Sequence, residues 1–400
     1  MNPPQYLLPT VLALLLLHVP CIRAADWPQW RGPNRDGVVR GVQAPAKWPK
    51  TLREEWKVTV GESVSCPVVV GDRVYAFTRQ KDDESVLCLD AASGEQKWRS
   101  EPYPAPYHWW PGEGNFSKGP RSTPTVAGGR VYTAGVSGVI SCLETGTRKV
   151  LWRKQSKEPP PYGGPASPLV ADGLCVVHVG CNSKDDGLTA FDAATGEQKW
   201  RVADGSRPGA GSPILAELAG EKQLVLFTSW NLRGVSPATG KTLWALKLDG
   251  SEKNSTPLLY KDLIIFADYK DRLRAIRLEK GEKGLTPKDV WQAHGAAPYM
   301  STPVLDGDLL FGASVRGGRL LLLPRRSDRQ DSLGEQRGLP FRLRVGRQRR
   351  GRLAIPNRAG PALRGPAERP GVRADRGLPV RQPADLGPPR LPRGPHPDPE

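Results

Sequence analysis

The stretch Phe191–Trp200, F-D-A-A-T-G-E-Q-K-W, decides the fold of this chain. The Asp192 carboxylate can accept hydrogen bonds from backbone amides of the turn, and Gly196 can supply a positive φ, so the stretch predicts a tight hairpin. A lone hairpin cannot bury Trp200, and this predicts that similar hairpins recur beside it. Four further stretches of the chain are variants of this unit, each closed by a tryptophan.

Each hairpin follows a Ser/Cys/Thr-Pro step and an apolar strand at a nearly constant distance. The prolines of these steps are Pro67, Pro124, Pro168, Pro213, Pro257 and Pro303. The Pro-to-Trp separations are 28 to 34 residues, and successive tryptophans are 42 to 54 residues apart. A period near 45 with four short strands per unit is typical of a β-propeller blade.

The sequence therefore predicts an all-β chain, a β-propeller of four-stranded blades. The turn residues vary between repeats while the tryptophan stays, so packing of the indole against the next blade is the expected constant requirement. The tryptophans predicted to dock the hairpins are Trp56, Trp98, Trp152, Trp200, Trp244 and Trp291. Six blades are visible, the sixth incomplete, and an intact ring is expected to have seven or eight.

The N-terminal part divides into a leader and a lead-in to the propeller. Residues 1–25 combine a short apolar run with small residues at 24–25, which predicts a signal peptide and an exported, periplasmic or secreted protein. Residues 26–62 begin as a Pro/Gly-rich loop. Within them, residues 55–60 predict a strand that carries Trp56 and could close the ring against the last blade. The predicted blades occupy residues 63–323.

Residues 324–400 differ abruptly from the rest of the chain. They contain 18 Arg and no Trp, Tyr, Cys, Met or Lys, and a hairpin due after residue 323 is missing. Such a segment cannot bury a core and is predicted to be disordered. Two explanations compete, a natural basic tail for polyanions or a GC-rich gene read out of frame, and the position of the break favours the frameshift.

Charge and cysteine content exclude several classes of function. The formal charge is +17, but most of it lies in residues 324–400, so the propeller region indicates no nucleic-acid partner. Leader removal would leave five cysteines with no C-x-x-C spacing, which argues against a zinc site or a dense disulfide framework. Only Cys175 and Cys181 form a pair worth testing for a bridge. After leader cleavage no membrane span is expected, and the oligomeric state is open.

Alternating Ser/Thr-Pro strands and A-x-D-x-x-T-G-x-x-x-W hairpins resemble the quinoprotein-type, PQQ-binding-like β-propeller repeat family. Exported bacterial members open with D-W-P-Q-W-R-G-P-N-R-D-G, as Asp26–Gly37 does, and the superfamily includes outer-membrane-assembly propellers and PQQ alcohol dehydrogenases. The resemblance covers residues 26–323. In the dehydrogenases it implies a quinone between a tryptophan and a disulfide of adjacent cysteines, with calcium and an Asp base. This chain has no adjacent cysteines, so no PQQ or calcium site is predicted.

The candidate binding site lies in the one large insertion, Glu101–Arg121, between the first and second repeats. Exposed aromatic groups with polar tips suit a protein or carbohydrate partner at the propeller rim. The candidate residues are Tyr107, His108, Trp109, Trp110, Arg121 and, from the next rim loop, Tyr162. The alternative is that the insertion folds back as a hydrophobic plug.

Three functions remain open on the sequence. The favoured one is a non-catalytic exported propeller that acts as a binding or assembly scaffold, with no catalytic or metal-binding residues. A PQQ-dependent dehydrogenase-like quinoprotein is the alternative, and polyanion binding by the tail is the third.

Overall fold

Four-stranded antiparallel sheets recur along the chain, at the spacing that the tryptophans predict. A computed structural model describes residues 26–42, 45–108, 117–160, 164, 166–180, 187–202, 209, 211–228, 230–249, 255–268, 272–282, 284–294, 298, 301–314, 319–322 and 344–347. All of them belong to the first of two compact units, residues 1–352, and the second unit, residues 353–400, contains no described residue. The predicted signal peptide lies outside the described residues.

The described residues fold into six blades and contain no helix. The first three blades contain the strands β1 (Val68–Val70), β2 (Arg73–Gln80), β3 (Asp83–Asp90), β4 (Gln96–Arg99) and the short β5 (Tyr103–Pro104); β6 (Thr125–Ala127), β7 (Arg130–Ala134), β8 (Val139–Glu144) and β9 (Val150–Gln155); and β10 (Leu169–Ala171), β11 (Leu174–Val179), β12 (Gly187–Asp192) and β13 (Gln198–Val202). The other three contain β14 (Ile214–Leu218), β15 (Glu221–Phe227), β16 (Asn231–Val235) and β17 (Thr242–Lys247); β18 (Leu258–Tyr260), β19 (Leu263–Asp268), β20 (Arg272–Gly281) and β21 (Gly284–His294); and β22 (Val304–Asp306), β23 (Leu309–Ser314), β24 (Arg319–Leu322) and β25 (Arg344–Arg347).

Strand order within each sheet follows chain order, so the first strand of every blade lies at one edge and the fourth at the other. This is the arrangement of a β-propeller, with the first strands lining a central channel. The first strands run in one direction along the channel. The turns that follow them therefore gather at one mouth, and the Ser/Thr-Pro steps that precede them gather at the other. The predicted fold class is confirmed.

Most of the core consists of clusters that each join two neighbouring blades. Phe227 of blade four packs in one cluster with Phe266 of blade five, and their ring centroids are 6.0 Å apart. A second cluster holds Tyr132 of blade two together with Val177 and Phe191 of blade three. Each sheet thus buries its apolar face on the next sheet, and this burial is the main stabilising term of such a fold.

Four tryptophans, Trp56 in the lead-in segment and three at hairpin ends, dock on the turn of the following blade. In each case the indole Nε1 donates to the carbonyl of the residue after the turn's Asp, Glu or Ser. The pairs are Trp56–Ala91 at 3.0 Å, Trp98–Thr145 at 3.0 Å, Trp152–Ala193 at 3.1 Å and Trp200–Pro237 at 2.8 Å. The spacing of the motif thus sets both the hairpin and the hydrogen bond to its neighbour.

Trp244 and Trp291 pack against the next blade in a different way. Trp244 shares a cluster with Phe266 of blade five, but its Nε1 donates to Gln223 of its own sheet. Trp291 packs with Leu310 of blade six. In blade five β20 and β21 continue as a long hairpin to the pair Gly281–Gly284, so the turn that would accept the Trp244 indole is absent there.

Two sequence predictions about the ends of the propeller are corrected. Residues 55–60 form no strand, and Trp56 and Val60 pack on blade one through their side chains. The sixth blade, predicted to stop at residue 323, has a fourth strand because Arg344–Arg347 pairs with Arg319–Leu322. Those four residues of the predicted disordered segment are therefore ordered in a ladder, and the rest of residues 324–400 lies outside the described chain.

Candidate functional site

The rim insertion, residues 101–121, begins as an added strand on blade one. Tyr103 and Pro104 form β5, which pairs with Glu84 and Asp83 of β3. Immediately after it, the Ala105 amide donates to the Asp82 carbonyl at 2.8 Å. The first part of the insertion is therefore an edge addition to the blade-one sheet and not a free loop.

A buried carboxyl group fixes this part of the insertion to blade two. Glu84 is fully buried and accepts a hydrogen bond from the Tyr103 hydroxyl at 2.7 Å and from the Val136 amide at 3.0 Å. Burial raises the pKa of Glu84, and burial together with the Glu84 charge raises the pKa of Tyr103 well above its usual value. The Arg153 guanidinium stacks over the Tyr103 ring at 4.3 Å.

A buried arginine holds the same region from the other side. Arg79 is 1% exposed, and its guanidinium donates to the carbonyls of Lys81 and Ala105 and to the Asp82 carboxylate at 2.8 Å. Because Ala105 is contacted both by Arg79 and through the ladder, the start of the insertion is rigidly placed.

The end of the insertion is fixed to the segment that leads into blade one. The Pro120 carbonyl accepts from the amides of Val64 and Ser65, each at 2.9 Å. The Glu62 carboxylate accepts from the Lys118 amide at 3.2 Å. Both stems of the insertion are therefore anchored.

The structure brings together two of the predicted partner-binding residues. The Arg121 guanidinium donates to the Tyr107 hydroxyl at 3.2 Å, and the Tyr107 ring packs partly buried on the cluster between blades one and two. His108 is exposed beside them. The predicted residues Trp109, Trp110 and Tyr162 lie outside the described residues.

A second feature was missed by sequence reasoning. The segment Asp26–Gly37, predicted only as a loop, lies in the channel, and we call it the N-terminal plug. Its Trp27 exchanges two backbone hydrogen bonds with Val69 of β1, and its Pro28 carbonyl accepts from the Val126 amide of β6 at 2.7 Å. These contacts lie on the inner edges of the first strands, where only the channel is open.

Arg35 anchors the plug at the level of the Ser-Pro steps. It is 3% exposed, and its guanidinium donates to the carbonyls of Pro213 at 2.9 Å, Ser167 at 3.4 Å and Pro168. Its Nε donates to Gln29 Oε1 at 2.9 Å. Burial lowers the pKa of Arg35 to about 9, which still leaves it cationic at neutral pH. One side chain thus joins blades three and four at the channel axis.

Arg31 makes the corresponding contacts on the far side of the ring. Its guanidinium donates to the carbonyls of Thr302 at 2.9 Å and Pro303 at 2.5 Å. Burial lowers the pKa of Arg31 to about 10. With the Trp30 indole donating to Thr256 Oγ1 at 3.1 Å, the plug contacts all six blades.

The Ser/Thr-Pro steps themselves form a chain of hydrogen bonds around the channel. The amide before one proline donates to the hydroxyl of the equivalent residue in the next blade. The pairs are Cys66–Thr123 at 3.2 Å, Thr123–Ser167 at 3.0 Å, Ser167–Ser212 at 3.1 Å and Thr256–Thr302 at 2.9 Å. The repeated hydroxyl residue is therefore explained by contact between blades and needs no ligand.

A cavity of about 500 Å³ opens beside the plug, along the first strands of blades three to six. The apolar part of its wall comes from the first strands of blades three to six, and the polar part comes from the plug and Arg40. The residues that line the cavity include Val170, Leu215, Leu259, Leu305, Arg35, Asp36 and Arg40. Asp36 forms an ion pair with Arg40 at 2.6 Å.

The channel residues do not fit a quinone stacked on a cysteine pair. Cys88, Cys142 and Cys175 are free thiols that lie in the clusters between blades, away from the channel. The axis at the level of the proline steps is filled by Arg31 and Arg35. Among the described residues, no group of three or more His, Cys, Asp or Glu side chains could hold a metal ion.

The fold and these hairpin contacts define a propeller of PQQ-type repeats. The chain belongs to the family described as outer membrane protein assembly factor BamB, whose model matches residues 46–108 and 82–330. No helix within the described ranges is long and apolar enough to cross a membrane.

Individual relatives are distant. The chain is 24% identical over 275 residues to the outer membrane protein assembly factor BamB of Moranella endobia (strain PCIT), covering 66% of this chain and 62% of that protein. It is 25% identical over 284 residues to BamB of Burkholderia pseudomallei (strain K96243), covering 68% and 67%. The chain thus spans less than two thirds of the length of the first of these relatives.

Similar solved structures include both assembly factors and enzymes. BamB from Moraxella catarrhalis aligns with a TM-score of 0.45 and 18% identity, covering 63% of this chain and 67% of that one. Quinohemoprotein alcohol dehydrogenase from Comamonas testosteroni aligns with a TM-score of 0.47 and 16% identity, covering 75% and 71%.

Proposed function

We propose that this protein is a non-catalytic binding or assembly scaffold whose protein partner docks on the rim insertion. The observation that carries the proposal is the anchoring of both stems, by Glu84 and Arg79 at the start and by Glu62 at the end. Stems held in this way present Tyr107, His108 and Arg121 with little ordering entropy left to lose on binding.

The described residues at the insertion suit a protein surface. Tyr107 and Arg121 are residue types that recur at the centres of protein interfaces, and here they contact each other beside the exposed His108. Two relatives are named outer membrane protein assembly factors, and this favours a protein over a carbohydrate as the partner. The same names and the predicted leader support a periplasmic or otherwise exported location.

Catalysis through a quinone is the less favoured function. A quinohemoprotein alcohol dehydrogenase of Pseudomonas putida is 28% identical over 121 residues, but these cover only 17% of that enzyme. The adjacent cysteine pair and the acidic cluster that such chemistry needs are absent from the described residues. We therefore propose that the protein uses neither PQQ nor calcium. Dye-linked alcohol oxidation after addition of both would contradict this.

Photo-cross-linking tests the scaffold proposal directly. A benzoylphenylalanine placed at position 108 should capture a discrete protein partner in cells, and the same group at the exposed Leu151 on the outer strand β9 should not. An Arg121→Ala, Tyr107→Ala variant should lower the yield at position 108. Equal capture at positions 108 and 151, or capture that the double variant leaves unchanged, would reject the rim insertion as the docking surface.

A further inference from the structure

One residue of each first strand, the second after the proline of the Ser/Cys/Thr-Pro step, directs its backbone groups into the channel. In blade five, Tyr260 and Leu263 flank a two-residue turn and form a hydrogen-bonded pair. Because such pairs alternate along an antiparallel ladder, Leu259 is a non-bonded position whose amide and carbonyl point away from β19. The same count from the turn selects Val69, Val126, Val170 and Leu305. In blade four the first strand is longer, and the alternation from the pair Leu218–Glu221 makes Leu215 a non-bonded position as well.

Two of these six positions are already paired with a peptide. Val69 exchanges both of its inward hydrogen bonds with Trp27, at 2.7 and 3.0 Å, and the Val126 amide donates to the carbonyl of Pro28. Consecutive residues of one chain thus serve consecutive blades. The plug shows that a peptide crossing the inner strands fits this channel.

The other four positions line the cavity. Val170, Leu215, Leu259 and Leu305 all border the space of about 500 Å³, a volume within the range of ligand sites. Within the described parts of the chain, their inward amides and carbonyls have no protein partner. Each offers one donor and one acceptor, which is the complement of a peptide backbone.

The charge beside the cavity favours an acidic ligand. Arg35 is buried and Arg31 half-buried, both are hydrogen-bonded only to neutral oxygens, and the one carboxylate lining the cavity, Asp36, forms an ion pair with Arg40. Positive charge in a water-poor site attracts an anion more strongly than it would in water.

We propose that the channel cavity binds a short extended peptide of about two to four residues with a free carboxylate. The peptide pairs with the inner edges of blades three to six as Trp27 and Pro28 pair with blades one and two. Apolar side chains of the ligand contact the leucines and valine of the wall, and its carboxylate lies toward Arg40. The cavity is lined by blades three to six and the plug, whereas the rim insertion contacts blades one and two, so this proposal does not rest on the rim as a docking surface.

Proline substitution removes one inward donor at a time. Because the Leu215 and Leu259 amides point into the channel, Leu215→Pro and Leu259→Pro leave the bonds to the second strand in place. Leu259→Ala is the matched control, since it shortens the side chain but keeps the amide.

The probe is a library of N-acetylated tripeptides of Ala, Val, Leu, Asp and Glu. Peptides that the purified full chain retains on ultrafiltration are identified by mass spectrometry.

Wild type and Leu259→Ala should retain the same peptides with affinities within about twofold, and each proline variant should bind them about five- to tenfold more weakly. N-methylation of a backbone amide of the best peptide should lower its affinity for the wild-type protein by the same factor. This measurement uses wild type alone, so it does not depend on whether a variant folds. C-terminal amidation should weaken binding, and less so in Arg40→Gln.

Three outcomes would overturn the proposal. Wild type could retain no tripeptide, N-methylation could leave the affinity unchanged, or hexanoate could bind as tightly as the best peptide. The last result would indicate a small carboxylic acid held without backbone recognition. Cross-linking from position 108 should be unaffected by the Leu215 and Leu259 variants, which separates failure here from failure at the rim.

Discussion

The indole Nε1 of Trp152 donates to the Ala193 carbonyl at 3.1 Å, and the face of the same ring lies against Gly196. Blade two is thereby locked to the hairpin turn of blade three. The Tyr132 hydroxyl donates to the same carbonyl at 3.0 Å and the Cys142 thiol at 3.8 Å, so one backbone oxygen accepts from three side chains of the preceding blade. A repeat motif that looks local in sequence is in fact half of a contact between blades.

Gly196→Ala should therefore destabilise the protein by about 2–4 kcal/mol. The residue has a φ of +70°, and a Cβ there would lie 2.7 Å from the Trp152 ring, so backbone strain and overlap with the ring add together. Chemical denaturation followed by tryptophan fluorescence measures the change in the free energy of unfolding.

Gly173→Ala is the control for the backbone term. Gly173 has a φ of +76° with nothing within 4 Å of a Cβ, so only the conformational cost of about 1–2 kcal/mol should appear. Equal losses at positions 173 and 196 would show that contact with Trp152 contributes nothing to docking.

The docking hairpins could be predicted because each one needs only local sequence. Asp192, Gly196 and Trp200 stand at fixed offsets, and the period of about 45 residues implies that blades stack. The exception, Trp244, depends on the turn of blade five, where a long hairpin replaces the short one. The sequence of one repeat does not show which hydrogen-bond acceptor the next repeat provides.

The N-terminal plug could not be predicted in the same way. Arg35 contacts carbonyls of residues 167, 168 and 213, which are more than a hundred positions away in sequence. Pro and Gly between residues 28 and 37 indicate a loop, but nothing in their spacing indicates a channel. The only signal was the presence of two arginines, Arg31 and Arg35, in an otherwise uncharged run that ends in Asp36.

Cysteine reactivity should follow burial. Burial raises the pKa of Cys88 and Cys142 to about 11, and it raises the pKa of Cys175 further, whereas Cys66 is exposed. Since the thiolate is the reactive form, iodoacetamide at pH 8 should label Cys66 at least tenfold faster than these three in the native protein. Peptide mass spectrometry over a time course measures the rates, and labelling in urea should abolish the difference. Rapid native labelling of Cys175 would contradict the packing between blades two and three.

Glu84 should make stability fall as the pH rises. Burial raises its pKa in the folded state above the unfolded value of about 4.3, so between the two values the folded protein binds more protons than the unfolded chain. This contribution is complete below the unfolded pKa and is lost as the pH increases through the folded one. Glu84→Gln should therefore gain stability relative to wild type between pH 4 and pH 8, as measured by urea unfolding.

Tyr103→Phe is a control that should strengthen the decline of stability with pH, which Glu84→Gln should remove. Loss of the hydroxyl that donates to Glu84 at 2.7 Å removes a bond to the charged carboxylate, so its pKa should rise further and the decline with pH should steepen. If the stability curves of wild type and Glu84→Gln run parallel from pH 4 to pH 8, the carboxyl group is not buried as described.

Arg35→Met should be among the most damaging single substitutions in the described chain. It would leave the carbonyl of Pro213 without a donor and that of Pro168 with the Thr125 hydroxyl alone, in a site where Arg35 is 3% exposed. A buried acceptor left unsatisfied costs about 1–3 kcal/mol, and Arg35→Lys should recover little because an ammonium group cannot reach several carbonyls in one plane.

Arg40→Met is the matched control for Arg35. Arg40 lies five residues further on and forms one exposed ion pair with Asp36, so its loss should change the free energy of unfolding by no more than about 0.5 kcal/mol. Denaturant unfolding of the three variants decides the role of the plug. If Arg35→Met unfolds with the same midpoint as Arg40→Met, then the segment is only a loop in the channel mouth, as its proline and glycine content first indicates. A large difference confined to Arg35 means that the ring of blades is held together from its axis as well as from its hairpins.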